Sequence, residues 1–362
     1  MNSRSTVHPT VSVVIVNLNR AELLAQAVRS VLGQSFQDFE IIVVDNASVD
    51  DSAAAAQAFE DPRIHLLELK ENRGFSGGAN VGIRRARGRW IALLNNDAIA
   101  HRDWLSRMME AARRNPAAGM LASRILFEDG RFIDKAGHLI YLDGQNRGRG
   151  TGQPAEGNYC APDETLFPDG CAGLYRRKLI EETGGLDEDF FAYADDADLG
   201  LRARWLGWTC AYVPEAVVYH RHSATSGRYA PEKIFWVERN RVWLVLKNFP
   251  LPLLLLSFPL TLLRFSVGSL AALAGRGAAG GFRQANSFRT LIWTLLKADA
   301  AALAGSRRIW TKRRDILKAR RIGSWAFFRI LWKHRISLRE LSFHEIPGDG
   351  SKLERIPVDM LC

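Results

Sequence analysis

The strongest constraint on the fold is a regular alternation of β-branched runs and helical patterns over the first hundred residues. Residues 11–16 form a short apolar run that predicts a buried parallel strand, and residues 39–44, 64–69 and 90–94 repeat it. The segments between these runs carry helical patterns; the first opens at Asn19, with Glu22 three residues later as in a capping box. Repeated strand–helix units of this length predict an α/β fold with a parallel sheet and right-handed crossovers.

From residue 72 onward the pattern becomes less regular. A glycine-rich stretch over 72–82 leads into a helix ending near Gly88. Short strands with Gly and Asp turns follow from about residue 119, and residues 144–168 read as a mobile loop. A helix over 197–206 and a strand over 211–219 come next.

The charge is distributed unevenly between two parts of the chain. Residues 1–246 hold 29 Lys and Arg against 32 Asp and Glu, whereas residues 247–340 hold 18 against 3. A near-neutral body is thus joined to a strongly basic C-terminal arm, which suits an anionic surface. With 47% apolar residues the chain is not disordered, and its four Cys show no spacing typical of a disulfide framework or a structural zinc site. We expect no secretory signal at the N-terminus.

Polar residues stand at the ends of two predicted strands. Asp45 closes the second strand, and Asn95, Asn96 and Asp97 follow the fourth. Ligands of open α/β sheets bind beyond the carboxyl ends of the strands, so these side chains are expected to share a site. Their oxygens suit a hard cation such as Mg²⁺ or Mn²⁺. The alternative is that Asp45, with its neighbours Asn46 and Ser48, only caps a helix.

Two further clusters could complete that site. The dense glycines after Asn72 would let backbone approach a ligand closely, although they also fit a simple turn and helix entry. Asp195, Asp196 and Asp198 crowd the start of a helix, which exceeds what the helix dipole needs and favours a raised pKa and a general base. His220 ends the next strand, where it is either structural or an extra metal or phosphate contact.

Seven motifs in a fixed order resemble the family 2 glycosyltransferases, and among them the bacterial rhamnosyltransferase-like branch that builds cell-surface polysaccharides. The motifs are VNLNR (16–20), VDNASVDDS (44–52), NRGFSGGAN (72–80), LLNND (93–97), DGCAGLYRR (169–177), FFAYADDADLGLR (190–202) and VVYHRHSATSG (217–227). The resemblance covers about residues 10–248. It implies a GT-A fold, the Rossmann-like fold of nucleotide-diphospho-sugar transferases, and an inverting transfer from a nucleoside-diphosphate sugar, dTDP- or UDP-linked.

The resemblance also implies roles for individual residues. Asp45 would contact the base or ribose within a nucleotide-sugar site. That site comprises Asn17, Asn19, Asp45, Asn46, Ser48, Asn72, Gly74, Phe75, Asn80, Asn95 and Asn96. Asp97 matches the last acid of the family's metal motif, with Asn95 and Asn96 where an Asp-X-Asp motif has its other residues, so the metal would rest on Asp97 and His220.

Asp196 matches the family's general base, and Asp195 stands where the family has Glu. That replacement keeps the charge and shortens the side chain. The acceptor region implied by the resemblance includes Asp169, Gly170 and Gly173, together with the loop over 144–168.

The C-terminal arm favours attachment to a membrane. Residues 251–263 are apolar but shorter than the roughly 20 residues that a spanning helix needs, and Pro252 and Pro259 favour a broken or interfacial segment. Trp residues beside Lys and Arg are typical of helices that lie in the headgroup region. A helical domain with a solvated basic face is the alternative, and nucleic-acid binding does not fit the leucine-rich run. We therefore expect attachment to an anionic membrane, the cytoplasmic face of the bacterial inner membrane.

The predicted organisation is a flexible N-terminus (1–10), a GT-A domain (11–248), a membrane-associating helical region (249–340) and a tail (341–362). The predicted function is non-processive transfer of a sugar, rhamnose from dTDP-rhamnose, onto a lipid-linked glycan. A UDP-hexose donor and a catalytically silent nucleotide-sugar-binding scaffold are the alternatives. The QxxRW signature of processive synthases is missing.

Overall fold

The computed structural model describes residues 8–221, 230–273, 275 and 287–343. Its strands are β1 (Val11–Asn17), β2 (Phe39–Asp45), β3 (Ile64–Glu68), β4 (Trp90–Asn95), β5 (Ala98–Ala100), β6 (Ala118–Phe127), β7 (Ile133–Lys135), β8 (His138–Ile140), β9 (Asn146–Gly148), β10 (Asp163–Glu164), β11 (Ala172–Arg176) and β12 (Thr209–His220). Residues 1–7, the end of the motif over 217–227 and the tail from residue 344 lie outside the described residues.

Helices connect and flank these strands. They are α1 (Ala21–Leu32), α2 (Ser52–Gln57), α3 (Gly74–Arg85), α4 (Trp104–Arg114), α5 (Arg177–Thr183), α6 (Asp195–Trp205), α7 (Pro231–Asn248), α8 (Leu251–Leu273), α9 (Phe288–Ala319), α10 (Ser324–Lys333) and α11 (Leu338–Phe343), with a 3₁₀ turn at Glu188–Phe190. The segment 144–168, predicted as a loop, contains the short strands β9 and β10.

The main sheet has the order β10-β12-β6-β11-β4-β1-β2-β3. The first four strands in sequence are parallel, as predicted, with β1 between β2 and β4. Beyond them the sheet is mixed, because β11 runs antiparallel to both β4 and β6 while β12 is parallel to β6. One apolar cluster lies between the sheet and α1 and α4, and a second lies under α3, α6 and α7. The fold is therefore a three-layer α/β architecture.

The glycine-rich stretch differs from the prediction, because it forms α3 itself instead of leading into a helix. Its glycines let the helix lie directly on the sheet. A Cβ on Gly82 would lie 2.4 Å from Cγ1 of Val14, and one on Gly78 would lie 2.7 Å from Cγ1 of Val16. Close contact between helix and strand thus outweighs the low helix propensity of glycine.

The predicted capping box at Asn19 is wrong. Asn19 and Arg20 both adopt left-handed backbone angles (φ 59° and 69°), and α1 begins at Ala21 without a side-chain cap. The Asn19 side chain instead accepts a hydrogen bond from the Val49 N–H at 2.9 Å. Asn19 therefore ties the β1–α1 turn to the turn after β2.

The C-terminal helices share a core with the α/β part. The rings of Trp205 in α6 and Phe327 in α10 stack with centroids 3.9 Å apart. The indole N–H of Trp243 in α7 donates to the Ala302 carbonyl of α9 at 3.0 Å. Apolar burial thus runs continuously from the sheet into α9 and α10.

Helix α8 is longer than the predicted apolar segment 251–263. It continues through Arg264 to Leu273 and has 23 residues. Pro252 lies in the first turn, where a missing N–H costs nothing, and Pro259 lies within the helix. Among the described residues α8 is the helix whose length and composition suffice to cross a membrane. The helix exposes apolar side chains on one face and contacts the α/β part with the other.

Candidate active site

A cavity of about 670 Å³ opens at the sheet edge where β1 and β4 end. The predicted site residues that line it are Asn46, Asn72, Gly74, Phe75, Asn95, Asn96, Asp97, Asp169, Gly170, Asp195, Asp196 and His220. As the described residues shape the cavity, the predicted residues Asn17, Asn19, Asp45, Ser48, Asn80 and Gly173 do not line it. Most of the distant motifs therefore meet at one cavity.

Asp45 ends β2 beside the cavity and is 4% exposed. Its carboxylate accepts hydrogen bonds from the Ser48 N–H at 3.2 Å and from the Ser48 hydroxyl. The side-chain nitrogen of Asn17 lies 3.5 Å from the Asp45 carboxylate, and the side-chain oxygen of Asn17 accepts a hydrogen bond from the Asn96 amide at 2.7 Å. Asp45 thus holds the turn after β2, which is close to its alternative capping role, and its contact with a nucleoside stays a prediction.

The start of α3 packs closely against the turn before α6. The Asn46 amide donates to Asn72 at 2.9 Å and to the Gly74 carbonyl at 3.1 Å. Gly74 has a φ of +68°, and a Cβ there would lie 2.3 Å from the carbonyl oxygen of Phe191. Both the backbone angle and the close approach require glycine at this position.

The turn that leads into α6 is strained and is held by a residue that the sequence did not indicate. Phe191, Tyr193 and Ala194 all have left-handed backbone angles. The Asn240 amide of α7, fully buried, donates to the carbonyls of Phe190, Ala192 and Tyr193 at 2.7–2.9 Å. Such strain persists only where surrounding contacts fix it.

Asn80 supports the same region from α3 without lining the cavity. Its amide donates to the Leu186 carbonyl at 2.9 Å and to Glu188 at 3.0 Å, and its oxygen accepts the Leu186 N–H at 3.0 Å. Asn80 therefore positions the segment before the acids. A direct nucleotide contact, as predicted, would need the cavity to change shape.

Asp195 and Asp196 open α6 and face the cavity. The Ser76 hydroxyl donates to Asp195 at 3.2 Å, and the Gly170 N–H donates to Asp196 at 3.0 Å. Burial, and then the charge of Asp196, raise the pKa of Asp195 to about 8. Burial also raises the pKa of Asp196, against the opposing effect of His138. The pair can therefore hold a proton near neutral pH.

The third acid of this cluster has a structural role. Asp198 is fully buried and accepts hydrogen bonds from Arg202 and Lys247, both at 2.8 Å. Lys247 of α7 also donates to Asp187 at 2.5 Å. These ion pairs join α6 to α7 and to the segment before the acids.

Lys135 and His138, which the sequence analysis missed, contact the predicted acceptor residue Asp169. The His138 Nε2 and the Lys135 Nζ lie 2.7 and 2.8 Å from the same Asp169 oxygen. His138 Nε2 also lies 3.9 Å from Asp196. Among the described residues, His138, Asp169 and Asp196 form a candidate His/Asp metal site with ligand atoms within 4.8 Å of one another. No sequence signal marked Lys135 or His138, which lie in two short strands without a clear periodicity.

Asp97 and His220 meet on the other side of the cavity. Asp97 Oδ1 lies 3.3 Å from His220 Nε2, and His220 Nδ1 lies 2.6 Å from Asp134. Burial lowers the pKa of His220, but Cys171, Asp134 and Asp97 outweigh it and hold that pKa well above the ordinary value. Asp134 and Cys171 were not predicted as site residues. Gly173 lies outside the cavity in β11, where its backbone packs against Asp169.

Two family profiles match successive and overlapping parts of the chain. The profile of glycosyl transferase family 2 matches residues 12–184, and that of glycosyl transferase family group 2 matches residues 159–303. The two matches together include the residues that line the cavity.

Two similar proteins of known role come from bacteria. The succinoglycan biosynthesis protein ExoO of Rhizobium meliloti is 28% identical over 81% of this chain and 79% of its own length. The N-acetylglucosaminyl-diphospho-decaprenol L-rhamnosyltransferase of Mycobacterium tuberculosis is 29% identical over 52% of this chain and 68% of its own length. Two other relatives are much longer, and this chain spans 26% and 20% of their lengths.

A solved structure shows a similar fold. The mannosyltransferase PcManGT from Pyrobaculum calidifontis, in complex with GDP-Man and Mn²⁺, superposes with a TM-score of 0.52 and 20% identity. The likeness covers 91% of this chain and 88% of that one. The predicted GT-A fold is thereby confirmed.

The raised pKa of Asp195 should make stability depend on pH. Between its ordinary value and about 8, the folded chain keeps the Asp195 proton while the unfolded chain loses it, so stability falls as pH rises. Asp195→Asn removes this titration. We expect the variant to gain stability relative to the wild type as pH increases from 5 to 8, as measured by urea denaturation. A difference that stays constant with pH would contradict this, and the exposed Asp51→Asn is the control.

Proposed function

Because the chain belongs to glycosyltransferase family 2, we propose that it is an inverting, non-processive transferase that acts in the synthesis of a cell-surface polysaccharide. The observation that carries this proposal is the shared cavity, where the acid pair Asp195 and Asp196 faces Asp97 and His220. Acids from distant parts of the chain thus surround a space large enough for a sugar and a diphosphate.

We propose dTDP-rhamnose as the donor and a lipid-linked glycan as the acceptor. The similarity to the mycobacterial N-acetylglucosaminyl-diphospho-decaprenol L-rhamnosyltransferase supports both choices. Asn46, Asn72 and Phe75 would bind the nucleotide at one end of the cavity, and Asp169 and Gly170 would lie on the acceptor side. UDP-hexoses remain the second donor class.

A panel of nucleotide-sugars tests the donor. We expect dTDP-rhamnose to bind more tightly than UDP-glucose, UDP-galactose or GDP-mannose by at least about tenfold, which is 1.4 kcal/mol. Calorimetric binding and slow donor hydrolysis in the presence of Mg²⁺ or Mn²⁺ give the measurement. A preference for a UDP-hexose would overturn the donor and keep the transferase, whereas binding of a donor without any turnover would favour the silent nucleotide-sugar-binding scaffold.

A divalent cation fits between Asp97 and His220. Asp97 Oδ1 is buried and lies 3.3 Å from His220 Nε2, while Asp134 lies against the opposite nitrogen, so a cation bound between Asp97 and His220 would displace the proton on Nε2. A carboxylate behind a histidine is a common arrangement at metal sites. The group of His138, Asp169 and Asp196 fits less well, because the Lys135 ammonium already neutralises Asp169. The bound cation would stabilise the charge on the departing diphosphate.

The acid pair would then divide the proton chemistry. Burial raises the pKa of both acids, that of Asp195 to about 8, so the pair holds one proton at neutral pH and its remaining carboxylate can accept another. Asp196 would take the proton of the acceptor hydroxyl as its oxygen bonds to the anomeric carbon and the bond to the diphosphate breaks. Attack from the side opposite the leaving group inverts the anomeric centre. A base of this kind contributes about 10²- to 10⁴-fold to the rate.

Asp196→Asn should lower the transfer rate by at least about 100-fold, because the amide cannot accept the proton. Donor binding should change by less than about twofold, since the side chains remain similar in shape. Radiolabelled transfer and calorimetry measure the two effects, with Asp51→Asn as an exposed control. Lost donor affinity with unchanged turnover would show that Asp196 is a binding residue instead.

Asp97→Asn should raise the Mg²⁺ or Mn²⁺ concentration needed for half-maximal activity by at least about tenfold. Chelation should abolish wild-type transfer, and added metal should restore it. Binding of Mn²⁺ can also be followed directly by electron paramagnetic resonance. Full activity in a chelator, or an unchanged metal requirement in the variant, would contradict the assignment.

We also propose that the C-terminal helices attach the enzyme to the cytoplasmic face of the inner membrane. The basic charge of residues 247–340 and the exposed tryptophans Trp293, Trp325 and Trp332 support this. Attachment would hold the cavity near a lipid-linked acceptor.

A further inference from the structure

Helix α8 has two faces of opposite character. Its outer face is apolar and exposed over Leu255, Leu256, Phe258, Leu262, Leu263 and Leu270, each between 47% and 69% accessible. Its inner face carries Leu253, Ser257, Thr261 and Arg264, spaced by three or four residues and directed at the α/β part. The helix therefore has the composition of a membrane span, but polar side chains in its middle face protein.

The inner face is tied to the α/β part by a buried ionic network. Arg264 donates to Asp143 at 2.6 Å and lies 3.0 Å from Glu238 of α7. Asp143 is fully buried, and Arg241 pairs with the other oxygen of Glu238 at 2.7 Å. The Thr261 hydroxyl lies 3.3 Å from Asp143.

This network determines how α8 can meet lipid. Arg264 lies near the middle of the 23-residue helix, which is the depth at which a spanning helix is surrounded by acyl chains. Crossing would bring Arg264 into that region and leave Arg241 to compensate both buried acids, Asp143 and Glu238, and both changes are costly. The alternative, with the network intact, would place the α/β part itself in the hydrocarbon.

We infer that α8 lies in the plane of an anionic bilayer, with its outer face among the acyl chains of one leaflet, and does not cross the membrane. The inference rests on the proposed membrane attachment and specifies its geometry. The outer face of α8 then meets hydrocarbon while the ionic network remains within protein.

The first half of α9 supports a lipid surface as the partner. Phe288, Ile292, Trp293 and Leu296 are exposed, while Ala298 on the opposite face is buried. The exposed cations Arg289 and Lys297 flank these apolar residues, and the Lys297 ammonium lies 5.5 Å from the centre of the Trp293 ring. Apolar side chains beside cations and an interfacial tryptophan complement an anionic headgroup layer.

The ionic network that holds α8 lies next to the cavity wall. Asp143 directly precedes residues 144–148, which form one rim of the cavity, and Arg241 both lines the cavity and donates to the Asp143 carbonyl at 2.9 Å. Arg147 of the same rim donates to the Glu340 carbonyl in α11, a helix that packs on α8. An in-plane α8 therefore places this rim at the headgroup level, where a lipid-linked hydroxyl can enter without its lipid leaving the bilayer.

The depth of three positions on the outer face tests the inference. In a full-length Cys160→Ser, Cys362→Ser background, Leu255→Cys, Leu262→Cys and Leu270→Cys each carry an environment-sensitive fluorophore. Nitroxide-labelled lipids in phosphatidylcholine–phosphatidylglycerol vesicles report the depth of each label. Positions 255 and 270 are about 22 Å apart along the helix axis.

An in-plane helix predicts three labels at one shallow depth, all within reach of an aqueous reducing agent added outside the vesicles. A spanning helix predicts position 262 near the bilayer centre, with positions 255 and 270 about 11 and 12 Å from it on opposite sides. That result would overturn the inference and leave the membrane attachment standing. Failure of the protein to pellet with the vesicles would overturn both, whereas the donor-binding panel tests the transferase separately. The inference would likewise be overturned if the outer face of α8 were buried in a dimer in solution and that dimer did not bind vesicles.

A charge-insertion pair gives a second, label-free test. Leu255→Glu with Leu262→Glu should weaken binding to anionic vesicles at least tenfold, because both side chains would enter the acyl region. Val49→Glu, at a 93% exposed apolar position on the α/β part, is the matched control and should leave vesicle binding unchanged. Circular dichroism confirms that the variants are folded. Equal binding by the double variant and the control would contradict the in-plane geometry.

Discussion

The site depends most on the pairing of the buried Lys247 ammonium with Asp187 and Asp198. A buried cation is tolerated only when it is paired, so the two carboxylates and Lys247 fix one another in place. Through Asp198 the network orients α6, which carries the acid pair, and through Asp187 it fixes the start of the strained turn. Lys312 of α9 also contacts Asp187, so the C-terminal helices stabilise the same arrangement.

The sequence allowed prediction of the features that follow from local pattern. The run over 11–16 is largely apolar because helices cover both faces of the sheet at β1, and that pattern is visible without a structure. Strand ends then placed Asp97 and His220 on one edge, and the crowding of Asp195 and Asp196 indicated a perturbed pair. Motif order gave the family, since it depends on residue identity alone. The roles of the individual residues remain predictions.

What the sequence did not reveal depends on contacts between distant segments. Lys135, His138 and Asp134 lie in short strands whose polar residues have no period, so nothing distinguished them from surface residues. Asn240 and Asn80 support the acid turn from helices far away in the chain. The length of α8 was underestimated because Arg264 appeared to end an apolar run, whereas its charge is satisfied by Asp143 and the helix continues.

The stacking of Trp205 on Phe327 and the bond from Trp243 to α9 have a consequence for the boundary near residue 248. A chain cut after Asn248 would leave two indole rings exposed to water and would remove Lys312, one of the two cations that pair with Asp187. Such a fragment is expected to aggregate instead of behaving as an autonomous catalyst. In this protein the C-terminal helices and the catalytic part have to be inherited, expressed and engineered together.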